Sequence, residues 1–309
     1  MAASTAWLAI VNPTSGRARS GRSWPQVAQA LRQRGVVVEE VLTTGPGAGR
    51  ELARRAVSDG RRHLLAVGGD GSVHDVVNGL MSVPLPAGDR VTLAPVPLGT
   101  GNDWARTLGI PRDPDGIAAT VAAGRTLEHD VGQLDFETVD GDRPSRQWFI
   151  NVAGAGFDSH VIERLPTHVE SPLAYLWGAL RELQGYRAPR FRIQGDGGNL
   201  DERLLLTFVA NGRYCGNRMH VAPQAQVDDG CFDVVAIREV GLLTALTKLA
   251  KLYRGTLRGD PLVWETRCSR LQLATDRPTA VEADGQVVGR TPVTVSLRPK
   301  ALRAVCGGG

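Results

Sequence analysis

The chain has 309 residues, of which 42% are apolar and 22% are charged, and its formal net charge is +4. This length exceeds one ordinary hydrophobic core and predicts two domains of a globular protein. No apolar run approaches the ~20 residues of a membrane span, and Met1–Val11 lacks the basic and apolar segments of a secretion leader. Four widely spaced cysteines match no metal or disulfide pattern, so we expect reduced thiols in the cytoplasm. The mild basic excess favours an anionic partner, such as a nucleotide, a nucleic acid or a membrane surface.

Strands and helices alternate through the first part of the chain. A strand over Ala6–Val11 is predicted to end at the turn-forming cluster Asn12–Gly16, which leads to a helix over Trp24–Gln33. This cluster is either a phosphate-binding turn or an ordinary polar loop. The next predicted elements are a strand over Val36–Leu42, a turn over Thr43–Gly47 and a helix over Gly49–Ser58. Such alternation predicts a parallel sheet with helices on both faces.

The stretch Leu64–Leu80 predicts a strand, a tight turn and a helix. Its apolar start leads into three glycines around an aspartate, and an apolar pattern at helical spacing follows. Glycines let the backbone approach a ligand closely, and the N–H groups that open a helix attract an anion such as phosphate. Because Asp70 would repel phosphate, we expect a cation such as Mg²⁺ between them. The alternative is a plain strand-to-helix turn in which glycine serves only geometry.

A third loop of this kind, Pro97–Arg106, follows the predicted strand Val91–Val96. Ligands gather at the carboxyl ends of the strands in a parallel sheet, so the three loops are expected to line one site. A helix over Ile117–Ala123 and the segment Glu128–Gly132 close the first domain, which we place at residues 1–130.

After residue 131 the pattern changes to short β-rich runs bounded by turn residues, which is typical of a β-sandwich or barrel. We place this second domain at residues 131–309, with a C-terminal tail that could return to the first domain. The predicted strands are Trp148–Val152, Phe191–Ile193, Leu204–Ala210, Phe232–Ile237, Arg270–Leu273 and Val293–Leu297. Two predicted helices, Pro172–Gln184 and Leu242–Arg254, are each either core-facing or basic amphipathic helices that lie on a membrane surface.

Several segments, taken together, resemble one known family. They are Asn12–Gly16, Gly68–Ser72 with Asn78, Pro97–Arg106, Asn151–Asp158, Asn211–Tyr214, Ala222–Pro223, Asp228–Gly230 and Asp284–Gln286. In this order and spacing they resemble the diacylglycerol kinase catalytic-domain family, which includes bacterial lipid kinases and the sphingosine and ceramide kinases. The resemblance covers essentially the whole chain and is more specific than Gly-Gly-Asp-Gly, which NAD kinases and phosphofructokinases share. It implies an α/β nucleotide-binding domain, a β-sandwich domain and an active site in the cleft between them.

The resemblance also implies which residues bind the cofactors. ATP would be held by Asn12, Pro13, Thr14, Ser15, Gly16, Thr43, Gly68, Gly69, Asp70, Gly71, Ser72, Thr100, Asp284 and Gly285. Asp70, Asp103 and Asp130 would organise Mg²⁺ and its waters, because the family places acids at the same three points. Taken alone, Asp103 is explained as well by a helix N-cap, and Asp130 by a turn before Gly132.

A second metal site is implied around Asp229. In bacterial relatives this turn holds a structural Mg²⁺ through one aspartate side chain and two main-chain carbonyls, which fall here on Gln226 and Cys231. Backbone ligands make no demand on residue type, so the sequence alone does not test this site.

The chain departs from the family at Gln286. Relatives usually end the motif that begins at Asp284 with a glutamate, which is assigned as general base for the substrate hydroxyl. An amide cannot accept a proton at neutral pH. Three alternatives stay open: the base is Asp70 or another acid acting through water, Glu282 takes the role, or the protein is a weak or inactive kinase.

We therefore expect an ATP- and Mg²⁺-dependent lipid kinase with diacylglycerol as default substrate, in which Asp70, Asp103, Asp130, Asp284 and Gln286 form the catalytic set. The alternatives are a nucleotide-binding regulator that has lost phosphotransfer and a NAD kinase-like enzyme. The expected partners are the lipid substrate and the inner face of the cytoplasmic membrane, without nucleic acid. A homodimer stays open.

Overall fold

A computed structural model describes residues 6–137, 145–164, 178 and 181–308. Its contacts divide the chain into two units, one built from residues up to Val131 together with those from Pro299 onward, the other from Gly132–Arg298. No helix among the described residues combines the length and the hydropathy of a transmembrane segment.

The first unit alternates strand and helix, and the predicted parallel sheet is confirmed. Its elements are β1 (Trp7–Val11), α1 (Ser15–Gln33), β2 (Val38–Leu42), α2 (Ala48–Ser58), β3 (His63–Gly68), α3 (Asp70–Met81), β4 (Thr92–Pro97), α4 (Asp103–Thr107), α5 (Pro114–Ala123) and the start of β5 (Thr126–Phe136). Strand β1 pairs in parallel with β2 and β3, and β3 pairs in parallel with β4. The last part of β15 (Val293–Val305) adds a parallel strand, with Arg303 opposite Thr92.

Burial and close approach explain the local sequence of this unit. All six residues of β4 are buried, as expected for a strand covered on both faces by helices. Helix α3 can approach α2 only because residue 79 is glycine, since a Cβ there would lie 2.1 Å from the Arg50 carbonyl oxygen. The first turn of helix α1 is irregular, since Gly16, Arg17 and Ala18 have left-handed backbone angles. Regular helical geometry begins after Ala18.

The second unit is antiparallel, and the predicted β-sandwich is confirmed. Its elements are the end of β5, β6 (Ser145–Phe149), β7 (Val152–Gly156), α6 (Phe157–Arg164), β8 (Arg190–Gly195), β9 (Gly198–Ala210), β10 (Phe232–Arg238), α7 (Leu242–Arg254), β11 (Val263–Cys268), β12 (Arg270–Thr275), β13 (Ala280–Ala283), β14 (Gln286–Arg290) and the start of β15.

The described strands of the second unit enclose an apolar core. Strands β14, β13, β7, β9, β10 and β11 are neighbours on one side, and β9, β8, β12 and β15 on the other. Their inward side chains form a buried cluster that includes Phe149, Phe191, Phe232, Leu271 and Val295. A second cluster, which includes Val235, Leu252 and Leu257, lies beneath α7.

Two predicted elements need correction or comment, and several elements of the second unit were missed. The predicted strand Trp148–Val152 is wrong, because Ile150 and Asn151 interrupt it between β6 and β7. Helix α6, strand β11 and the β13–β14 hairpin were not predicted, since each is short and none carries a strong cap or an unbroken apolar pattern. The predicted helix Pro172–Gln184 lies largely outside the described residues, of which 181–185 are helical.

Candidate active site

The three glycine-containing loops of the first unit contact one another backbone to backbone. They follow β1, β3 and β4, which are adjacent parallel strands. A Cβ on Gly99 would lie 2.3 Å from the Gly69 Cα atom, and a Cβ on Gly16 would lie 2.6 Å from the Leu98 carbonyl oxygen. Gly16 also has φ +60°, a conformation that L side chains rarely adopt. The glycines are therefore required for the loops to meet.

Side chains hold this loop cluster together. The Asn12 amide Nδ2 donates to the Ser72 hydroxyl at 3.1 Å, which joins the first loop to the second. The Asn102 side chain accepts from the Gly99 N–H at 3.2 Å and donates to the carbonyls of Pro97 and Gly99 at 3.2 and 2.9 Å. These bonds fix the backbone of the third loop.

The remaining predicted nucleotide-binding residues of this unit lie on the same loops or beside them. Within the first loop, the Thr14 hydroxyl donates to Asn12 Oδ1 at 2.9 Å, and the Pro13 carbonyl accepts from Gly21 at 3.2 Å. Thr43 follows β2 and donates its N–H to the Val11 carbonyl at 2.8 Å, which places it next to the end of β1.

Asp70 connects the second loop to the third. Its carboxylate accepts the N–H of Asn102 at 2.7 Å and the N–H of Asp103 at 2.8 Å. Asp70 therefore caps the N-terminus of α4, where main-chain N–H groups have no partner within the helix. Burial, followed by the nearby charge of Asp103, raises the pKa of Asp70 to about 6.

Asp103 lies close to Asp70 at the start of α4. A Cβ on Gly101 would lie 2.7 Å from Asp70 Oδ2 and 3.7 Å from Asp103 Oδ2, so the two carboxylates flank the same bare backbone position. Asp103 is buried. The N-cap position of α4 belongs to Asn102, in the left-handed conformation, so the N-cap explanation of Asp103 is wrong.

Asp130 is buried within strand β5, so the explanation of Asp130 as a turn residue is wrong. Its Oδ1 accepts the Lys300 N–H at 2.7 Å. The preceding residue, His129, accepts the indole N–H of Trp104 at 3.0 Å through Nε2, and its Nδ1 lies 2.5 Å from the Asp130 carbonyl oxygen. Since Nε2 is the acceptor, Nδ1 carries the proton and donates to that carbonyl. Trp104 thus docks α4, with Asp103 at its start, against the segment that carries Asp130.

In the second unit, Asp284 and Gly285 form the turn of the β13–β14 hairpin. Both have positive φ angles, +50° and +85°, as a two-residue type I′ turn requires. The Asp284 carboxylate accepts the main-chain N–H groups of Ile150, Asn151 and Val152 at 3.1, 2.9 and 3.2 Å. Asp284 is therefore the reason that the chain breaks between β6 and β7.

Gln286 and Glu282 lie on opposite faces of this hairpin. Gln286 pairs with Ala283, and Glu282 pairs with Val287. Directly opposed residues share a face and consecutive residues alternate, so Gln286 points to the face of Ala283 and Glu282 points away from it. Glu282 Oε2 accepts the Gly285 N–H at 2.7 Å. The register therefore does not favour Glu282 as a replacement for the missing glutamate.

Glu282 instead faces Asp158 of α6, a pair that sequence reasoning missed. A Cβ on Gly154 would lie 2.2 Å from Asp158 Oδ2 and 3.0 Å from Glu282 Oε1, and neither oxygen has a hydrogen-bond partner among the described residues. Burial raises the pKa of Asp158 to about 6, and burial together with Asp158 raises the pKa of Glu282 well above its usual range. Burial and the second carboxylate therefore favour the protonated form of Glu282. No sequence signal links residues so far apart.

The turn predicted to hold a second Mg²⁺ is occupied by protein donors. Asp229 Oδ1 accepts the Cys231 N–H at 3.0 Å, and Oδ2 forms an ion pair with the Arg267 guanidinium. A cation bound through Gln226, Asp229 and Cys231 would share the carboxylate with Arg267. Within the described part of the chain, no group of three or more His, Cys, Asp or Glu side chains could hold a metal ion. The second site, built mainly from carbonyls, stays a prediction.

The chain thus combines a parallel α/β unit, with glycine loops at its strand ends, and a β-sandwich unit. Residues 6–134 match the family model described as diacylglycerol kinase catalytic domain, and residues 151–306 match the one described as YegS C-terminal NAD kinase beta sandwich-like domain. The diacylglycerol kinase of Bacillus subtilis (strain 168) is 31% identical over 92% of this chain and 90% of its own length. That of Staphylococcus aureus (strain MRSA252) is 27% identical over 92% of this chain and 86% of its own. The chain belongs to the diacylglycerol kinase catalytic-domain family and is a kinase.

Solved structures show the same fold. A crystal structure of a diacylglycerol kinase from Bacillus anthracis str. Sterne superposes with a TM-score of 0.73 at 20% identity, covering 98% of this chain and 97% of that one. Yeast NADH kinase complexed with NADH gives a TM-score of 0.55 at 11% identity, covering 99% and 85%. The NAD kinase-like fold is therefore a more distant neighbour.

Proposed function

We propose that the protein transfers the γ-phosphoryl group of ATP, with Mg²⁺, to a hydroxyl of a membrane lipid, and that diacylglycerol is the substrate. The names of the curated relatives support the lipid class. The observation that carries the proposal is the cluster of three glycine loops at adjacent parallel strand ends, joined by Asp70. Bare backbone beside helix N-termini is what a triphosphate needs for close approach.

In the proposed complex, the nucleotide phosphates lie over the second and third loops. Gly69 begins α3 as its N-cap residue, so main-chain N–H groups of that helix face the end of β3. Asn12 and Ser72 would hold the edge of the site, since their side chains already bond to each other. Phosphoryl transfer depends mainly on such positioning and on neutralised charge.

The acids of the first unit fit a divalent cation. Asp70 and Asp103 place carboxylate oxygens on the same side of Gly101, and the second charge helps to raise the pKa of the first. A dication offsets this repulsion, and carboxylate oxygens are the ligands that Mg²⁺ prefers. When bound, Mg²⁺ supplies charge neutralisation to the transferring phosphoryl group. We propose Asp70 and Asp103 as the residues that hold it, with Asp130 acting on the waters of the cation and not as a third direct ligand.

The acceptor hydroxyl still needs a proton acceptor, and Gln286 cannot be one. Glu282 faces Asp158 on the other side of the hairpin. We therefore propose that an acid of the first unit, with Asp70 as the first candidate, receives the proton through water.

Transfer of radiolabelled phosphate from ATP to a panel of acceptors tests the proposal. The panel contains diacylglycerol, ceramide, sphingosine and, as a soluble acceptor, NAD. Labelled product from diacylglycerol is expected, and Asp59→Asn, an exposed change at the end of α2, should leave it unaltered. Label on NAD alone would overturn the lipid assignment. Nucleotide binding without any labelled acceptor would favour a regulator that has lost phosphotransfer.

A further inference from the structure

Helix α7 presents three of its large apolar side chains to solvent. Leu243 is 79% exposed, Leu246 is 36% exposed and Tyr253 is 53% exposed, whereas Lys248 is only 7% exposed. With the exposed Ala250, these apolar residues recur at steps of three and four, which places them along one face of the helix. An ordinary surface helix keeps its leucines inward and its lysines outward. Helix α7 does bury Leu252, but it also buries Lys248 and leaves a second apolar face exposed. We call Leu243, Leu246, Ala250 and Tyr253 the outer stripe.

A buried ion pair fixes the helix in this orientation. Lys248 Nζ lies 2.7 and 2.6 Å from the two carboxylate oxygens of Asp260, and Lys251 Nζ lies 2.6 Å from Asp260 Oδ2. The same carboxylate accepts the Leu262 N–H at 3.0 Å, which ties it to the loop after the helix. Turning the outer stripe inward would separate buried Lys248 from its partner, and isolated buried charges are strongly disfavoured. The exposed leucines are therefore a fixed feature of this surface.

Helix α7 itself carries only positive charges beside the outer stripe. Helix α7 contains no acidic residue, and it ends with Lys251 and Arg254 in its last turn. Arg258 follows in the exposed loop, where Asp260 is engaged by two lysines and Glu265 accepts the Gly259 N–H at 3.3 Å. The exposed Glu239 precedes the helix, at the end of the sequence opposite to Arg254. A two-fold contact between copies of this face would bring like charges together. An anionic bilayer instead satisfies both the apolar stripe and the basic end.

We propose that the outer stripe of α7, with Arg254 and Arg258 at its C-terminal end, docks the protein on an anionic lipid bilayer. The leucines and Tyr253 would enter the interface, and the guanidinium groups would lie among the lipid phosphates. This inference rests on the proposed function, because a kinase that acts on a membrane lipid needs to remain at the surface that holds it.

Sedimentation of the full chain with vesicles tests the docking surface. The parent should bind vesicles of phosphatidylcholine with phosphatidylglycerol more tightly than vesicles of phosphatidylcholine alone. The double variant Leu243→Gln/Leu246→Gln should lose about tenfold or more in partitioning, since both side chains would leave the apolar interface. Val37→Gln is the matched control, because Val37 is 45% exposed and lies in the other unit. It should bind as the parent does.

The basic end is tested separately. Arg254→Gln should reduce binding to the anionic vesicles by roughly fivefold, with little effect on phosphatidylcholine vesicles, because one cation near an anionic surface contributes modestly. All variants change exposed side chains, so their melting temperatures should match that of the parent. Equal vesicle binding by the double leucine variant and the parent would overturn the proposal, as would a parent that binds neither vesicle.

Other outcomes distinguish membrane docking from a dimer contact and from the proposed kinase activity. If the parent self-associates without lipid and the leucine variant is monomeric with unaltered vesicle binding, the stripe is a dimer contact and the proposal is wrong. If no lipid is phosphorylated but the vesicle results are as expected, the proposed kinase substrate fails and the docking surface stands. Both proposals are supported if the parent and the leucine variant phosphorylate detergent-dispersed diacylglycerol equally, but the variant no longer phosphorylates diacylglycerol in vesicles.

Discussion

Replacement of Asp284 by alanine is expected to act on the fold, because its buried carboxylate accepts three main-chain N–H groups where β6 gives way to β7. A hydrogen bond to a charged group contributes ~1.5–3 kcal/mol, and each buried donor left without a partner costs ~1–3 kcal/mol. Residue 284 also has φ +50°, a left-handed conformation that costs an ordinary residue ~1–2 kcal/mol. Since three donors share two oxygens, we expect Asp284→Ala to lower the free energy of unfolding by about 4 kcal/mol.

The comparison with Asp284→Asn separates the contribution of the hydrogen bonds from that of the left-handed backbone conformation. Asparagine tolerates the left-handed conformation and keeps one acceptor oxygen, so we expect about half of the loss, ~2 kcal/mol. Urea unfolding followed by circular dichroism measures both changes, and Asp59→Asn, at an exposed position, should remain within ~0.5 kcal/mol of the parent. A parent-like unfolding midpoint for Asp284→Asn, combined with loss of activity, would refute the structural role and assign Asp284 to the chemistry.

Four further substitutions probe the acids. Asp70→Asn loses one acceptor oxygen for the α4 N–H groups but also removes a buried charge that Asp103 repels, so the melting curve should be nearly unaltered. It also removes the charge that orders Mg²⁺, so steady-state turnover should fall by at least ~10²-fold. Asp260→Asn should cost ~3–5 kcal/mol in urea unfolding at neutral pH. Because Lys248 and Lys251 hold the pKa of Asp260 below its unfolded value of ~3.9, the parent should lose this stabilisation as the pH falls below that value, and the variant should not. Glu282→Gln should stabilise the protein at pH ~8, because its raised pKa means that the folded state holds a proton which the unfolded state releases, so parental stability falls as the pH rises. Gln286→Glu should leave turnover little changed or lower, and a ~10²-fold gain would show that the chain lacks a base.

The sequence predicts the first unit well because its signals are local. Apolar runs that end in glycine and asparagine specify strand, turn and helix within a few residues, as at Gly68–Ser72. Parallel pairing of β1, β3 and β4 then brings the three loops to one edge. The contact of Gly69 with Gly99 follows from this topology. The sequence shows only that neither position carries a side chain.

Sequence reasoning fails where a side chain serves a distant backbone or faces a distant partner. Asp284 determines the break at Ile150 and Asn151, more than 130 residues earlier. Periodicity in α7 shows which residues share a face but not which face is buried. That choice depends on Asp260, which lies 12 residues after Lys248 and draws it inward.

The hairpin register constrains where a general base can lie. A two-residue turn fixes Gln286 opposite Ala283, and a slip of one residue would reverse every side chain of β14. Glu282 is also held by the Gly285 N–H and faces Asp158, so small motions do not bring it to the face of Gln286. Phosphoryl transfer passes through a loose transition state, in which charge neutralisation and positioning contribute more than removal of the proton. An amide at position 286 therefore costs less than the loss of the Asp70 charge, and activity should depend more steeply on Asp70 than on Gln286.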